Sequence, residues 1–332
     1  MQSAQTTRLS LPSKGRLEHD ALEFLSAAGL RVFKPNPRQY QAEVPVLPEL
    51  GVIFQRPGDI VVSVRQGSVD FGITGMDVVE EKRGTNGEIL ILHDALGFGS
   101  CALTLAVPEA WKDVRDIVSL RSHAATLDRP LRVATKFPIL TERFLSRYQI
   151  PHTLIAAEGT LETAPTIGYA DMISDLVSSG QTLQDNRLRA LPDGVIQPSQ
   201  AALIANRKTL QTRPEALEMG RRLLEYIEAH LRAEGNLLVT ANIRGDSPES
   251  IAQKMFTQTV VGGLQGPTIS PVVVRDEESR WYSVTVVVRR DRLPQAITEL
   301  RSIGGSGIIV SPVTYIFEEE PPRYKAMLAA LR

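Results

Sequence analysis

Apolar positions along the first two-thirds of the chain follow two alternating rhythms. Short β-like runs occur at Arg8–Pro12, Ala102–Val107, Leu131–Thr135, Thr153–Ala157 and Met172–Val177, with further short apolar runs at Ile60–Val64 and Phe71–Thr74. Between them apolar residues recur at helical spacing. Leu17, Ala21, Leu22, Leu25 and Ala28 mark a helix over Leu17–Ala28 that stops at Gly29; another starts at Met76–Glu81 after Gly75, and Ile139–Tyr148 is a third. Alternation of this kind predicts a doubly wound α/β architecture.

A change of grammar follows. Thr212–Ala233 reads as one long helix, with Pro214 in its first turn, Leu217, Leu224, Ile227 and Leu231 on one stripe, and Gly235 closing it. Beyond it come a strand at Leu237–Ile243 and a helix at Ser247–Val260 capped by Ser247 or Asp246. Strands at Thr268–Val274 and Trp281–Val288 are joined by the polar turn Arg275–Arg280, and a helix at Leu293–Ile303 and a strand at Gly307–Val313 complete the series. The order βαββαβ is the ferredoxin-like pattern, and a domain boundary is expected near Gly235.

Bulk properties narrow the functions open to such a chain. Its 332 residues suffice for two or three domains and a sizeable core. With 37 basic and 38 acidic residues the net charge is −1, so nothing advertises a nucleic acid as partner, whereas a small anion needs only a local cluster of donors. The single cysteine, Cys101, excludes an intramolecular disulfide and a Cys-rich metal site, and is expected to be a buried structural thiol. His19, His93, His123, His152 and His230 show no metal-ligand spacing. No apolar run approaches a membrane span, and the first seven residues lack a secretory signal's apolar region, so the expected location is the cytoplasm.

The segment after Met172–Val177 is the most informative. Ser178, Ser179, Gly180, Gln181 and Thr182 lie between a strand and a helical run from Leu183. Such a junction suits a phosphate: amides at a helix start point outward, hydroxyls add donors, glycine permits close approach, and the helix dipole adds ~0.3–1 kcal/mol. An ordinary Ser/Thr capping turn leaves the same trace. Nearby, Asp171 and Asp175 stand four apart, with Glu162 upstream. Carboxylates repel a bare phosphate, but fit a ligand that also carries sugar hydroxyls or a bridging Mg²⁺; solvated acids at strand ends are the plain alternative. Lys14 and Arg16, flanking Gly15, form a basic loop able to meet phosphates or simply to face solvent.

Gly159-Thr-Leu-Glu-Thr-Ala-Pro165 and Gly168-Tyr-Ala-Asp-Met-Ile-Ser-Asp-Leu-Val-Ser-Ser-Gly-Gln-Thr-Leu183 resemble the phosphoribosyl-pyrophosphate (PRPP) site of the ATP phosphoribosyltransferase family. Pro12–Leu17, Gln55–Ile60, Gly67–Glu81, Leu96–Pro108 and Arg132–Pro138 extend the resemblance over nearly the whole chain. It implies a glycosyltransferase of histidine biosynthesis: adenine N1 of ATP attacks ribose C1′ of PRPP, and pyrophosphate leaves. On this resemblance Glu162, Asp171, Asp175 and Ser178–Thr182 hold PRPP, while Lys14, Gly15, Arg16, Leu17, Arg56, Asp70, Thr74 and Gly75 hold ATP. Thr135 and Lys136 reach the pyrophosphate, and Asp171, Asp175, Lys136 and Arg16 are the residues implied in catalysis. Mg²⁺ is implied as cofactor, held mainly through substrate with Asp171 or Asp175 as its protein side.

The same resemblance implies a two-lobed, periplasmic-binding-protein-like catalytic core. The first lobe is expected at 1–107 plus 195–234 and the second at 108–194, with an ACT-like regulatory domain at 235–332. Gly263–Pro271 and Ile303–Ile309 match the regulatory domain's loops, and Leu264, Thr268, Val287 and Gly307 are the implied contacts of a histidine effector. Some relatives place an acid on this domain's first strand; this chain has Ala241-Asn242 there, which bears on effector affinity. Dimers and hexamers of the chain are the implied assemblies. Three other readings share parts of this pattern: a solute-binding receptor with the same two lobes, a phosphoribosyltransferase for another base, and a regulator that has lost catalysis.

Overall fold

The computed structural model of the chain describes residues 7–36, 39–157, 160–259, 263–274 and 280–332. Contacts divide it into two compact units, Met1–Leu224 with Glu320–Arg332, and Glu225–Glu319.

The first unit contains two sheets. Strands β1 (Thr7–Pro12), β2 (Gln41–Glu43), β3 (Leu50–Gln55), β4 (Phe71–Gly75) and β5 (Ile89–His93) come first, with helices α1 (Arg16–Ala27), α2 (Pro57–Gln66) and α3 (Met76–Lys82). The chain then builds β6 (Cys101–Pro108), α4 (Ile117–Ala125), β7 (Leu131–Thr135), α5 (Pro138–Arg147), β8 (His152–Ala156), β9 (Met172–Val177), α6 (Gln181–Asp185) and β10 (Leu188–Ser199). It returns through β11 (Ala201–Asn206) to α7 (Arg207–Thr212) and α8 (Pro214–Ala233). The first sheet has the order β2-β3-β1-β4-β11-β5 and the second β10-β6-β9-β7-β8. Each has a parallel centre: β1 between β3 and β4, and β7 between β8 and β9.

Local chemistry explains most element ends. The apolar run Ile60–Val64 is helical rather than extended. Pro57 sits in the first turn of α2, Gly67 ends it at φ 74°, and Ile60, Val61 and Val64 turn inward against Val79 and Ile204. The helix expected from Thr212 begins at Pro214 instead: α7 ends at Thr212, and Arg213 is extended (φ −122°, ψ 101°), as a residue before proline tends to be. Sheet membership also moves the expected lobe borders. All of β6 and β10 belong to the second sheet, so the crossings lie between β5 and β6 and at Gln200, not near residues 107 and 194.

The second unit contains β12 (Asn236–Arg244), α9 (Pro248–Gln258), β13 (Thr268–Val272), β14 (Trp281–Arg289), α10 (Leu293–Ser302) and β15 (Ser306–Pro312). Its antiparallel sheet has the order β13-β14-β12-β15, which is the ferredoxin-like arrangement. Ser247 caps α9 through a reciprocal box with Ser250. Ala241, Ile243, Val284 and Val286 pack one face of the sheet against Ile251, Met255 and Leu300 of the helices. Of the expected turn Arg275–Arg280, only Arg280 lies within the described residues, and Val260 lies outside them.

The third domain, expected to run to residue 332, ends short of it: α11 (Pro322–Leu331) belongs to the first unit. Met327 is 2% exposed, and its sulfur lies 3.4 Å from where a Cβ on Gly220 would stand. Arg323 pairs with Asp94 at 2.6 Å, and the Leu331 carbonyl accepts from Gln211 at 3.0 Å.

Candidate active site

Both parallel centres contain a point where the next strands diverge to either side, and ligands of open α/β sheets settle at the carboxyl ends of strands there. The first sheet presents Lys14, Gly15 and Arg16 after β1, Arg56 after β3, and Thr74 and Gly75 at the end of β4. Lys14, Gly15, Arg16 and Arg56 are exposed and Leu17 is partly buried. Gly15 takes φ 79°, where a side chain would be strained, and its vacant Cβ position meets no atom within 4 Å, so the loop backbone is open to a ligand. Arg16 makes a long contact to Asp20, 3.4 Å, with its side chain 83% exposed. Thr74 is buried, its hydroxyl 3.4 Å from the Pro57 carbonyl. Gly75 is dictated by packing, because a Cβ there would stand 2.2 Å from the Asp77 carboxylate.

The second sheet presents Lys136 after β7, Glu162 after β8 and Ser178–Thr182 after β9. Leu183, 5% exposed, anchors the short α6 in an apolar cluster with Ile173 and Leu188. Gly180 adopts φ 77° just before α6, which turns the chain out of β9. Ser178, Ser179, Gln181 and Thr182 are exposed, and Ser179 Oγ lies 3.4 Å from the Gln181 amide, near the limit of a hydrogen bond.

Asp175 stands on β9 opposite Thr104 of β6, its carboxylate accepting the Leu176 amide at 2.8 Å. Burial pushes its pKa up, against the pull of that amide and of the Lys136 charge, while Glu162 pushes in the same direction as burial. Lys136 and Glu162 thus both stand within electrostatic reach of Asp175, which lies on β9 three residues before the 178–182 turn. Thr135 does not join them: it is fully buried, its hydroxyl accepting the Phe137 amide at 2.9 Å and lying 3.3 Å from Thr141 Oγ1.

Two expected acids lie elsewhere. Asp171 precedes β9, at the opposite end of that strand from the turn, about 13 Å from Asp175 at ~3.3 Å per residue. Arg129 grips its carboxylate with both Nη atoms (2.6 and 2.9 Å), and Arg132 adds its amide (2.9 Å) and Nη2 (2.8 Å). These bonds, with Arg129 foremost, hold its carboxyl well below the usual range. Asp171 is thus a fastening between β7 and β9 and has no free oxygen face for a sugar. Asp70 likewise precedes β4 at the far end of the first sheet. It is buried, accepts the Arg8 amide at 2.8 Å and pairs with Arg213 at 2.8 Å, and burial raises its pKa despite those partners.

Buried polar groups that no sequence motif marks tie the lobes together. Asp77, 3% exposed, receives a 2.5 Å hydrogen bond from Ser199 Oγ, which accepts the Asp77 amide at 3.0 Å. Burial raises the pKa of Asp77. Cys101, paired opposite Ser199, is half-buried, and burial raises its thiol too, so it is not poised as a thiolate. Glu81 accepts backbone hydrogen bonds from Ile139 (2.8 Å) and Leu140 (2.9 Å), across from α3 to α5. No short motif reveals these pairs, because their partners are 58 and 122 residues away.

In the second unit, Thr268 pairs opposite Thr285 on the sheet face that α9 and α10 leave open, and Val287 follows two residues along β14 on that face. Asn242 shares it, its Nδ2 3.5 Å from where a Cβ on Gly307 would stand, while Ala241 is buried on the other face. Leu264 is 59% exposed in the segment before β13.

Fold and site define a two-lobed α/β protein with exposed polar and basic loops at the carboxyl ends of its two sheets and a ferredoxin-like domain toward its C-terminus. A family model for ATP phosphoribosyltransferase matches residues 56–229, and one for the HisG C-terminal domain matches residues 233–315. The chain is 46% identical to ATP phosphoribosyltransferase 2, chloroplastic, of Arabidopsis thaliana, over 98% of this chain and 80% of that protein. It is 31% identical to the ATP phosphoribosyltransferase of Rhodopseudomonas palustris, over 98% of both. Among solved structures, the ATP phosphoribosyl transferase (HisG:HisZ) complex from Thermotoga maritima superposes with a TM-score of 0.52 at 25% identity, covering 67% of this chain and 98% of that one. The chain belongs to the ATP phosphoribosyltransferase family, in its long form, and is a pentosyltransferase of histidine biosynthesis.

Proposed function

We propose that the 178–182 turn holds the 5′-phosphate of PRPP, that Asp175 and Glu162 receive its ribose hydroxyls, and that Lys136 meets its diphosphate. The observation that carries this reading is that Lys136, Glu162 and the exposed hydroxyls of Ser178, Ser179 and Thr182 all follow the carboxyl ends of neighbouring strands of one sheet, with the charges of Lys136 and Glu162 both felt at Asp175. Lys14, Arg16 and Arg56 supply positive charge from the first sheet for the ATP triphosphate, with Gly15, Leu17, Thr74 and Gly75 shaping the space around its nucleoside. Adenine N1 has its own lone pair, so no side chain need act as nucleophile. As the bond from C1′ to the diphosphate breaks, the anomeric carbon becomes cationic, and the Asp175 carboxylate lies on the side that stabilises it. Positioning of the two substrates supplies the remainder of the catalysis. Asp171 and Asp70 act only by holding their strands.

Mg²⁺ fits this arrangement as a companion of the substrate. Among the described residues no group of three or more His, Cys, Asp or Glu side chains forms a metal cage. The Arg-bound Asp171 offers no ligand, which leaves Asp175 and Glu162 as its protein side. When bound, the ion offsets the negative charge of the leaving diphosphate.

The second unit is read as a histidine-binding regulatory domain, with Thr268, Val287, Gly307 and Leu264 around the effector and Asn242 in place of an acid. Two-thirds of this chain matches nearly all of the Thermotoga chain, whose structure is described as a HisG:HisZ complex; here the additional third supplies regulation from within the chain. Homodimers and hexamers are the proposed assemblies. No described helix is long and apolar enough to cross a membrane. The cytoplasm is the proposed compartment, with the plastid as its counterpart if the chain follows its Arabidopsis relatives.

Incubating the purified protein with ATP, PRPP and Mg²⁺ tests the reading through the ultraviolet absorbance of phosphoribosyl-ATP. Turnover that histidine lowers is expected. Turnover that survives Asp175→Asn within twofold removes the role given to that carboxylate, and histidine that neither binds nor inhibits removes the effector assignment.

A further inference from the structure

Glu81 lies near the end of α3 and is 6% exposed. Its two oxygens accept the amides of Ile139 and Leu140 at 2.8 and 2.9 Å. Those amides belong to the first turn of α5, whose N-cap residue, Phe137, provides no side-chain hydrogen bond. A carboxylate here satisfies two orphan donors and meets the positive end of the helix dipole. A local Ser or Asp side chain is the usual acceptor in such a cap. In this chain the cap comes from the other lobe, on a helix that is itself fastened at its start. The Met76 amide donates to the Gln200 carbonyl at 2.9 Å, and Asp77 is locked to Ser199.

The three residues before α5 show what the cap controls. Thr135 is buried and bonded to the Phe137 amide, and Phe137 is 6% exposed in a cluster with Leu103 and Leu140. Lys136 stands between these two anchored neighbours and is itself exposed, at the carboxyl end of the central strand β7. Its backbone therefore cannot shift without moving β7 or the first turn of α5, and Glu81 holds that turn. Because the Ile139 and Leu140 amides are already occupied, an anion at this strand end draws on the Lys136 side chain and not on the amides of α5.

We infer that Glu81 is a positioning residue for the transfer reaction: by capping α5 from the opposite lobe it fixes Lys136 where the diphosphate of PRPP is held. This rests on the role proposed above for Lys136.

The test is a double-mutant cycle in the full-length protein, with Glu81→Gln, Lys136→Ala and the combination, read as KM and kcat for each substrate and as hydrogen exchange of the α5 amides. Glu81→Gln is expected to raise the KM for PRPP about fivefold or more while the KM for ATP stays within about twofold. The double variant should be no worse than Lys136→Ala by more than about twofold, since the two residues act through one contact. Glu81→Asp, which keeps the charge but shortens the reach, should fall between wild type and Glu81→Gln, and serves as the test variant if Glu81→Gln does not fold. Amides 139 and 140 should exchange faster in either variant. Effects that multiply in the double variant, or an unchanged PRPP KM despite faster exchange at 139 and 140, would overturn the inference. If Lys136→Ala alone leaves the PRPP KM unchanged, the assignment of Lys136 falls and the inference with it; that result is distinguishable because the fault then shows in the single lysine variant.

Discussion

Asp171→Asn separates a strand fastening from a sugar ligand. The wild-type carboxylate receives four hydrogen bonds from Arg129 and Arg132, and its side chain is 11% exposed. Breaking a fully buried ion pair costs about 3–5 kcal/mol, and an exposed one below about 1 kcal/mol. Arg129 and Arg132 are 46% and 34% exposed, so solvent takes up part of the loss. A cost of about 2 kcal/mol follows, or a Tm lowered by roughly 4–8 °C for a unit of this size. The amide retains one acceptor for the Arg132 N–H, so the fold survives. The folded carboxyl is held below its ordinary value, so its contribution is fully present above about pH 4 and drains away as the pH falls further. Wild type and variant should therefore converge in stability at low pH. Thermal denaturation across pH, run beside steady-state kinetics, measures both effects, and kcat and the PRPP KM are expected within about threefold of wild type. A drop in turnover beyond tenfold with Tm unchanged would refute the assignment and return Asp171 to the ribose.

Further outcomes follow from the same structure. Burial and the nearby Arg323 charge lower the pKa of His93 from 6.5 to about 4. Stability should then fall by about 3 kcal/mol between those pH values as the unfolded chain takes up the proton, and His93→Asn should remove that slope; an unchanged slope in urea titrations would contradict it. Asp175 has a raised pKa, so the acid limb of kcat/KM should lie above the ordinary carboxylate range, with activity lost as pH falls through it; a limb that persists in the residual activity of Asp175→Asn would point to another group. Met327→Ala should cost the first unit about 3 kcal/mol, since α11 packs there. In a Trp281→Phe background the remaining tryptophan, Trp111, reports that unit alone, and an unmoved Trp111 transition would detach α11 from it.

Much of this architecture was legible because burial and period agree. Leu131–Thr135 and Met172–Val177 are apolar runs bounded by polar residues, and both form strands over those residues. The βαββαβ order was readable for the same reason, since each of its strands alternates or runs apolar between polar turns. Ile60–Val64 shows where an apolar run alone fails: its flanks, Pro57 and Gly67, decide for helix. The site was less legible because strand register is a long-range property. Asp171 and Asp175 are four apart and share a parity along the line of β9, but only the pairing of Val133 with Met172 brings Arg129 and Arg132 to the first and leaves the second toward the 178–182 turn. Asp70 repeats the lesson, since its partner Arg213 lies 143 residues away. The return of α11 is announced by nothing nearby: the polar stretch Glu318–Glu320 precedes a helix whose one deeply buried apolar residue is Met327.

A structure of the protein with PRPP and Mg²⁺ bound probes the donor site most directly. The terminal phosphate of the ribose is expected on the amides and hydroxyls of Ser178–Thr182, with ribose oxygens within hydrogen-bond distance of Asp175 and diphosphate density reaching Lys136. Donor bound with its terminal phosphate at Lys14–Arg16, or with Asp171 released from its arginines to meet the sugar, would contradict the account.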